Sequence, residues 1–277
     1  MKYGVFLFAT DKAMNFADLA GAAEERGFES IWAPEHVHIP VERETPYPLS
    51  EDGELPEMYT RLHDPFIVLA AAAAVTSTIR LGTSICLVTE REPIALAKTV
   101  ASLDYISDGR VEFGIGAGWL REEMEPFGVR FETRWKVTQQ RVEALKAMWT
   151  QDEPSYQSEF VDIPRTFVYP KPKQDPHPPV LIGATSRFAR QRVVDWAEGW
   201  LPNVSRPDYL ERGIADLRER ADAAGRDPES IPVTVLGGLT DAISEYERIG
   251  VDRVIFMLPS EQESVVMPEL DRLAALI

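Results

Sequence analysis

A chain of 277 residues with 29 basic and 45 acidic side chains carries a formal charge of −16 and is 44% hydrophobic. A surface that negative repels phosphate backbones and anionic bilayers, so nucleic acid and membrane are excluded as expected partners. The single cysteine, Cys86, excludes an internal disulfide and fits a reducing cytoplasm. The longest apolar run, Val68 to Val75, is far short of a membrane span, and the opening MKYGVFLFATDKAMNF, interrupted at Asp11, does not read as a signal peptide.

Strand-like and helix-like runs then alternate to the end. Tyr3–Ala9 is an apolar run, and Asn15–Arg26 follows with Phe16, Leu19, Ala20 and Ala23 at helical spacing before Gly27 stops it. Phe28–Ala33 reads as a second strand, and Asp64-Pro65 opens an alanine-rich helix through Ser77. Ile79–Val88 is a third strand and Pro93–Ile106 its helix; Val111–Ala117 is a fourth, with a long helix over Glu132–Trp149. Val180–Gly183, Gly199–Pro202, Ile231–Leu236 and Arg253–Leu258 complete the strands, with helices over Arg187–Ala197, Asp208–Ala224, Thr240–Ile249 and Glu261–Ile277. Eight strands alternating with helices predict a parallel sheet closed into a (β/α)8 TIM barrel, an α/β fold in one domain over 1–277. An open doubly wound sheet would put a glycine fingerprint after the first strand, where the chain has Ala9-Thr10-Asp11-Lys12.

Two connections are long. Residues 34–62 spring from the carboxyl end of strand two, the catalytic face of a barrel, and are a candidate lid, with inert decoration as the alternative. Residues 152–179 approach strand five from the opposite face, and SYQSEFVDIPRTFVYP within them reads as a hairpin.

Four places carry residue types suited to chemistry. Glu35-His36 directly follows strand two, where barrel side chains point at the active site and a histidine exchanges protons near neutral pH. Strand three contains Gly82, the sign of a bulge or a close approach. Gly114, Gly116 and Gly118 end strand four, which clears space for a flat ring or relieves barrel closure. Gly183-Ala184-Thr185-Ser186-Arg187 opens a helix whose free amides suit a phosphate, with Arg187 and Arg190 adding charge; a plain capped helix is the alternative. His36, His38, His63 and His177 show no metal-binding spacing, and no zinc, phosphate-loop or nucleophile-elbow motif is present.

Together, SIWAPEHV, IRLGTSICL, EPIALAKTVASLDYISDGRVEFGIGAGWLREE, and PPVLIGATS followed by EGWLP resemble the bacterial luciferase-like family, and within it the coenzyme F420-dependent oxidoreductases of actinobacteria. The resemblance spans nearly the whole chain and implies the same barrel. It implies a non-prolyl cis peptide at Ser84-Ile85 backing the cofactor ring, with Gly116 and Gly118 flanking the ring and Gly183, Ala184 and Thr185 at the phosphate. It makes His36 the proton carrier and has Glu35 orient it or touch the ring edge. One departure is informative: the sugar-phosphate dehydrogenases of the family carry a catalytic glutamate where this chain has Trp119. Trp119 and Tyr59, with Leu87 and Phe127, are therefore expected to wall an apolar pocket for a small-molecule substrate. The expected activity is hydride transfer between coenzyme F420 and that substrate. The alternatives are an FMN-dependent monooxygenase fed by a separate reductase and a non-catalytic flavin-binding protein. A homodimer is implied by analogy alone.

Overall fold

A computed structural model describes residues 1–277. In chain order its elements are β1 (Lys2–Phe6), α1 (Phe16–Glu25), β2 (Ser30–Ala33), α2 (Pro65–Val75), β3 (Arg80–Thr83), β4 (Cys86–Leu87), α3 (Pro93–Ile106), β5 (Val111–Gly116), α4 (Arg121–Met124), α5 (Arg134–Thr150), β6 (Tyr156–Gln157), β7 (Asp162–Ile163), β8 (Val180–Ile182), α6 (Arg187–Trp196), β9 (Gly199–Trp200), α7 (Pro207–Ala223), β10 (Thr234–Leu236), α8 (Ile243–Ile249), β11 (Arg253–Met257) and α9 (Glu263–Ala274).

The main sheet runs β10-β11-β1-β2-β3-β5-β8-β9 with every neighbouring pair parallel. A parallel bridge from Trp200 to Val233 joins its two ends. This is the expected eight-stranded barrel, nearly closed, with helices outside. Helix starts follow their caps. Asn15 Oδ1 accepts the amides of Ala17 and Asp18, and Asp64 Oδ1 those of Phe66 and Ile67 ahead of Pro65. The expected helix from Glu132 begins instead at Arg134, because Phe131–Thr133 is a 3-10 turn. Strand one ends three residues early: Leu7 still donates to the Trp32 carbonyl, but His63 donates to the Ala9 carbonyl and Thr10 bridges Leu62, so its last residues serve the end of the long connection.

Strand three is broken. Gly82 pairs with Glu112 and Cys86 with Ile115, so four residue steps on one strand face three on the other. The extra residue is a bulge, and the peptide bond Ser84-Ile85 inside it is cis. Gly82 itself makes room for an indole: a Cβ there would lie 2.1 Å from Trp32 Cε3.

The larger core, between barrel and helices, includes Leu69, Val100, Leu145 and Val193. A smaller cluster of Phe6, Phe8, Trp32, Leu181, Leu201 and Ile255 lines the barrel itself, with Ile85, Met58, Tyr59 and Leu236 packed on it. Inward residues of alternate strands fill a barrel in this way, leaving the carboxyl ends of the strands free to shape a site. The 152–179 connection contains the expected hairpin, β6 antiparallel to β7. Its Lys173 and Gln174 amides bind Asp104, and Gln174 also accepts from Arg80, so it packs over the start of β5 and contributes no side chain to the cavity described below.

Candidate active site

The carboxyl ends of the strands open onto a cavity of about 540 Å³, within the range of ligand pockets. Its lining brings together Glu35, His36, Tyr59, Ser84, Ile85, Gly118, Trp119, Gly183, Ala184 and Thr185, every predicted site residue except Gly116. Gly116 is buried behind the bulge. A Cβ there would lie 1.9 Å from Ile85 Cδ1, and one at Gly183 2.4 Å from Ile85 Cγ2. These two glycines therefore seat the Ile85 side chain; Gly116 shapes the cavity floor only through it, while Gly183 also lines the cavity directly. Leu87 lines the cavity as expected; Phe127 does not, and sits against His38 at 5.9 Å between ring centroids.

The long connection closes over this cavity, contributing Tyr47, Pro48, Leu49, Met58 and Tyr59. It is pinned at both ends. The amides of Glu44 and Thr45 donate to Glu122 Oε1 at 2.8 and 3.0 Å, and Arg61 and Lys12 pair with Asp11 and Glu57. Although partial burial opposes it, amide hydrogen bonds from Glu122 itself, Glu44 and Thr45 hold the Glu122 carboxyl down to about 2. Under this cover His36, Tyr59, Tyr47 and Trp119 form an aromatic box: His36–Tyr59 5.3 Å, Tyr59–Tyr47 5.1 Å, Tyr47–Trp119 5.7 Å and His36–Trp119 6.0 Å. The Tyr47 and Tyr59 hydroxyls meet at 2.7 Å.

The residue that holds His36 is Glu123. Its Oε2 lies 2.6 Å from His36 Nδ1, and its Oε1 accepts the Val37 amide at 3.1 Å. His36 and Glu123 side chains are 7% and 1% exposed. Glu35, expected to orient the imidazole or touch the ring edge, lines the cavity but does not bond the imidazole: Oε2 accepts the Leu87 amide at 2.6 Å, and Oε1 accepts Arg91 Nε at 2.6 Å. Arg91 continues to Asp64, the cap of α2. Glu35 thus ties β2, β4 and α2 together at the cavity edge.

Glu90 is the third buried carboxyl, 3% exposed, and neither of its oxygens has a well-formed hydrogen bond. It sits in the turn after β4, whose carbonyls of Val88, Thr89 and Arg91 all accept from Arg141 Nη1 of α5. Burial, then the carboxylates of Glu123 and Glu35, push Glu90 up to about 10. Burial pushes Glu123 up to about 8 and His36 down to about 4. All three shifts favour the neutral form, as expected of groups taken out of water.

At the other end, Ser186 Oγ caps α6 by accepting the Ala189 amide. Arg190 is committed to Asp216 and the Thr185 carbonyl, leaving Arg187 stacked over Phe188 and Arg134 as the cation in the lining. Ser84 Oγ, in the lining, is buried with no partner. An orphaned hydroxyl at the bulge, an apolar slot beside it and helix amides at its end fit a flat heterocycle with an anionic tail. No group of three or more His, Cys, Asp or Glu is placed to hold a metal ion, and no helix is long and apolar enough to cross a membrane.

Sequence reasoning missed Glu90, Glu123, Arg91, Tyr47, Arg134 and Trp135. Glu123 had a visible signal, lying in the same GWLREE segment as Trp119; Glu90, Arg91 and Tyr47 come from connections, and Arg134 and Trp135 from the start of α5, whose placement at the cavity only the fold defines.

Fold and site define a (β/α)8 barrel with a ligand slot at its mouth. The luciferase-like monooxygenase family matches residues 1–245, and the chain belongs to that family. It is 38% identical over 99% of its length to the uncharacterized protein Rv0953c of Mycobacterium tuberculosis, of which 98% is covered. Among solved structures, the monooxygenase RslO1 of Streptomyces bottropensis superposes with a TM-score of 0.80 at 21% identity, covering 100% of this chain and 98% of that one. The coenzyme F420-dependent tetrahydromethanopterin reductase of Methanopyrus kandleri gives 0.76 at 20%, covering 99% and 96%.

Proposed function

We propose that this chain binds coenzyme F420 at the barrel mouth and transfers a hydride between it and a small, largely apolar organic substrate. The observation that carries the reading is His36: its Nδ1 is held by a buried carboxyl, while Nε2 has no protein partner in a cavity walled by aromatic rings. A hydride delivered to an electron-poor carbon needs one accompanying proton, and an imidazole presented in this way is suited to give or take it. The cofactor, when bound, supplies the hydride chemistry at its ring carbon C5.

Ser84, Ile85 and Gly118 would back the ring, and Gly183, Ala184 and Thr185 with the first turn of α6 would hold the phosphate. Trp119, Tyr59 and Tyr47 would wall the substrate and exclude water, with the connection over 34–62 as cover. Full-length similarity to an F420-dependent reductase supports this choice.

The second reading, an FMN-dependent monooxygenase, is favoured by the equally complete superposition on RslO1. Oxygen separates the two. The chain is mixed anaerobically with reduced F420 or reduced FMN and then exposed to air. Slow, unassisted reoxidation of the F420 sample is expected; fast oxygen consumption or a stabilised oxygenated flavin with FMN would favour the monooxygenase.

A further inference from the structure

Three carboxyls crowd behind His36, and only one has a cation. Glu35 is neutralised by Arg91, which also reaches Asp64. Glu123 touches His36 and the Val37 amide, and Glu90 Oε1 and the side chain of Met124, next to Glu123, converge on Gly118, 3.8 and 3.1 Å from where a Cβ would sit, which brings Glu90 within reach of the Glu123 charge with no hydrogen-bond partner of its own. Around Glu90, Arg91 pulls its carboxyl down but less than burial, Glu123 and Glu35 push it up, and Arg141 is spent on the carbonyls of Val88, Thr89 and Arg91; the buried Cys86 thiol lies on the Glu35–Arg91 side and is pushed up, first by burial and then by Glu35. Two adjacent carboxyls with no positive partner, both sealed from water, do not both ionise. At least one must hold a proton, and that proton lies one group behind the imidazole.

We propose that Glu90 and Glu123 form a proton store that recharges His36 from behind during turnover. This rests on the proton-carrying role given to His36 above. In the loaded state Glu90 and Glu123 are both protonated: Glu123 Oε2–H donates to His36 Nδ1, and His36 carries its own proton on Nε2, toward the cavity. As Nε2 gives that proton to the substrate, Nδ1 takes one from Glu123, so the imidazole stays neutral throughout. Glu123, now a carboxylate, accepts a hydrogen bond and then the proton from Glu90. The balance is one proton delivered to the substrate and one negative charge left on the carboxyl pair, cancelled when solvent returns a proton to His36 Nε2 while Nδ1 passes its proton back to Glu123 and Glu123 passes one back to Glu90. The arrangement avoids a free imidazolium in a cavity where burial disfavours it. The directions of the three shifts agree with a loaded, neutral store at pH 7. Glu123 positions the imidazole and Glu90 acts through Glu123, so both are positioning residues.

The test uses the full chain freed of cofactor, so it does not depend on which cofactor binds. Infrared spectra at pH 7 are expected to show carbonyl-stretch bands of protonated, buried carboxyl groups. Glu90→Gln should remove one component and Glu123→Gln another, while Glu122→Gln leaves them unchanged. Nitrogen-15 NMR of the unmodified chain, with His36 assigned through His36→Gln, should show a neutral ring protonated at Nε2 and accepting at Nδ1. This second measurement needs no carboxyl variant to fold. A spectrum with no protonated-carboxyl band, or a His36 ring protonated at Nδ1 at pH 7, overturns the store. If both signatures appear but His36→Ala turns over normally, the His36 assignment fails while the loaded pair stands.

Discussion

His36 Nδ1 and Glu123 Oε2, 87 residues apart in the chain, meet at 2.6 Å. The contact joins the connection after β2 to α4 after β5, two strand ends separated in the sheet by β3. It fixes which ring nitrogen is free, leaving Nε2 as the one available to a substrate. Replacing His36 by Ala should leave cofactor affinity within a few-fold, because Ser84–Ile85 and Gly183–Thr185 are untouched. Turnover should fall by about 10²–10⁴-fold, the usual worth of a positioned acid or base. Equal turnover in the variant would remove His36 from the chemistry.

Glu90 gives stability a pH dependence of definite sign. A carboxyl raised to about 10 in the fold and near 4.3 when unfolded favours the folded state at low pH. That contribution is present below the unfolded value and declines as pH rises toward the folded one. Chemical denaturation at pH 5, 7 and 9 should therefore show a falling stability, with Glu90 adding a slope of at most about 1.4 kcal/mol per pH unit. Glu90→Gln should flatten the curve and be the more stable protein at pH 9. An unchanged slope in the variant would mean that Glu90 is ionised in the fold.

Ile85 and Gly183 form a lock of a different kind. A methyl group at Gly183 would lie 2.4 Å from Ile85 Cγ2, so Gly183→Ala should destabilise by about 1–3 kcal/mol, as overpacking does, and weaken cofactor binding. Ile85→Ala removes the colliding atom. Combined with Gly183→Ala it should recover part of the loss, giving a favourable coupling in a double-mutant cycle. Strict additivity of the two changes would show that the glycine serves some purpose other than seating Ile85.

Much of this molecule was legible before its fold was known, because alternation of apolar runs and cap residues reports local structure. The Asn15, Asp64 and Ser186 caps begin helices where they were expected, and all eight barrel strands were located. The elements that misled are those in which tertiary pairing overrides local pattern. Leu7–Ala9 is apolar enough for a strand, and Leu7 still donates to the Trp32 carbonyl of β2, but beyond it the Phe8 carbonyl is taken by Ser260 and the Ala9 carbonyl by the His63 amide at the end of the long connection. Gly116 looks like space for a ring and is space for Ile85. The family resemblance has Glu35 orient His36 or touch the ring edge, a choice that the sequence leaves open. Glu35 is instead drawn to Arg91, and the orienting acid arrives from Glu123. Such partners depend on which strand ends meet, and no spacing rule encodes that.

The most direct measurement is a binding titration of the cofactor-free chain with coenzyme F420 and, separately, FMN, followed by tryptophan fluorescence. Trp119 and Trp135 both line the cavity and should report a ring bound beside them. Quenching that saturates at micromolar F420, with FMN binding at least tenfold weaker, is the predicted result. Tight FMN binding with no response to F420 would contradict the deazaflavin assignment and make this barrel a flavin monooxygenase.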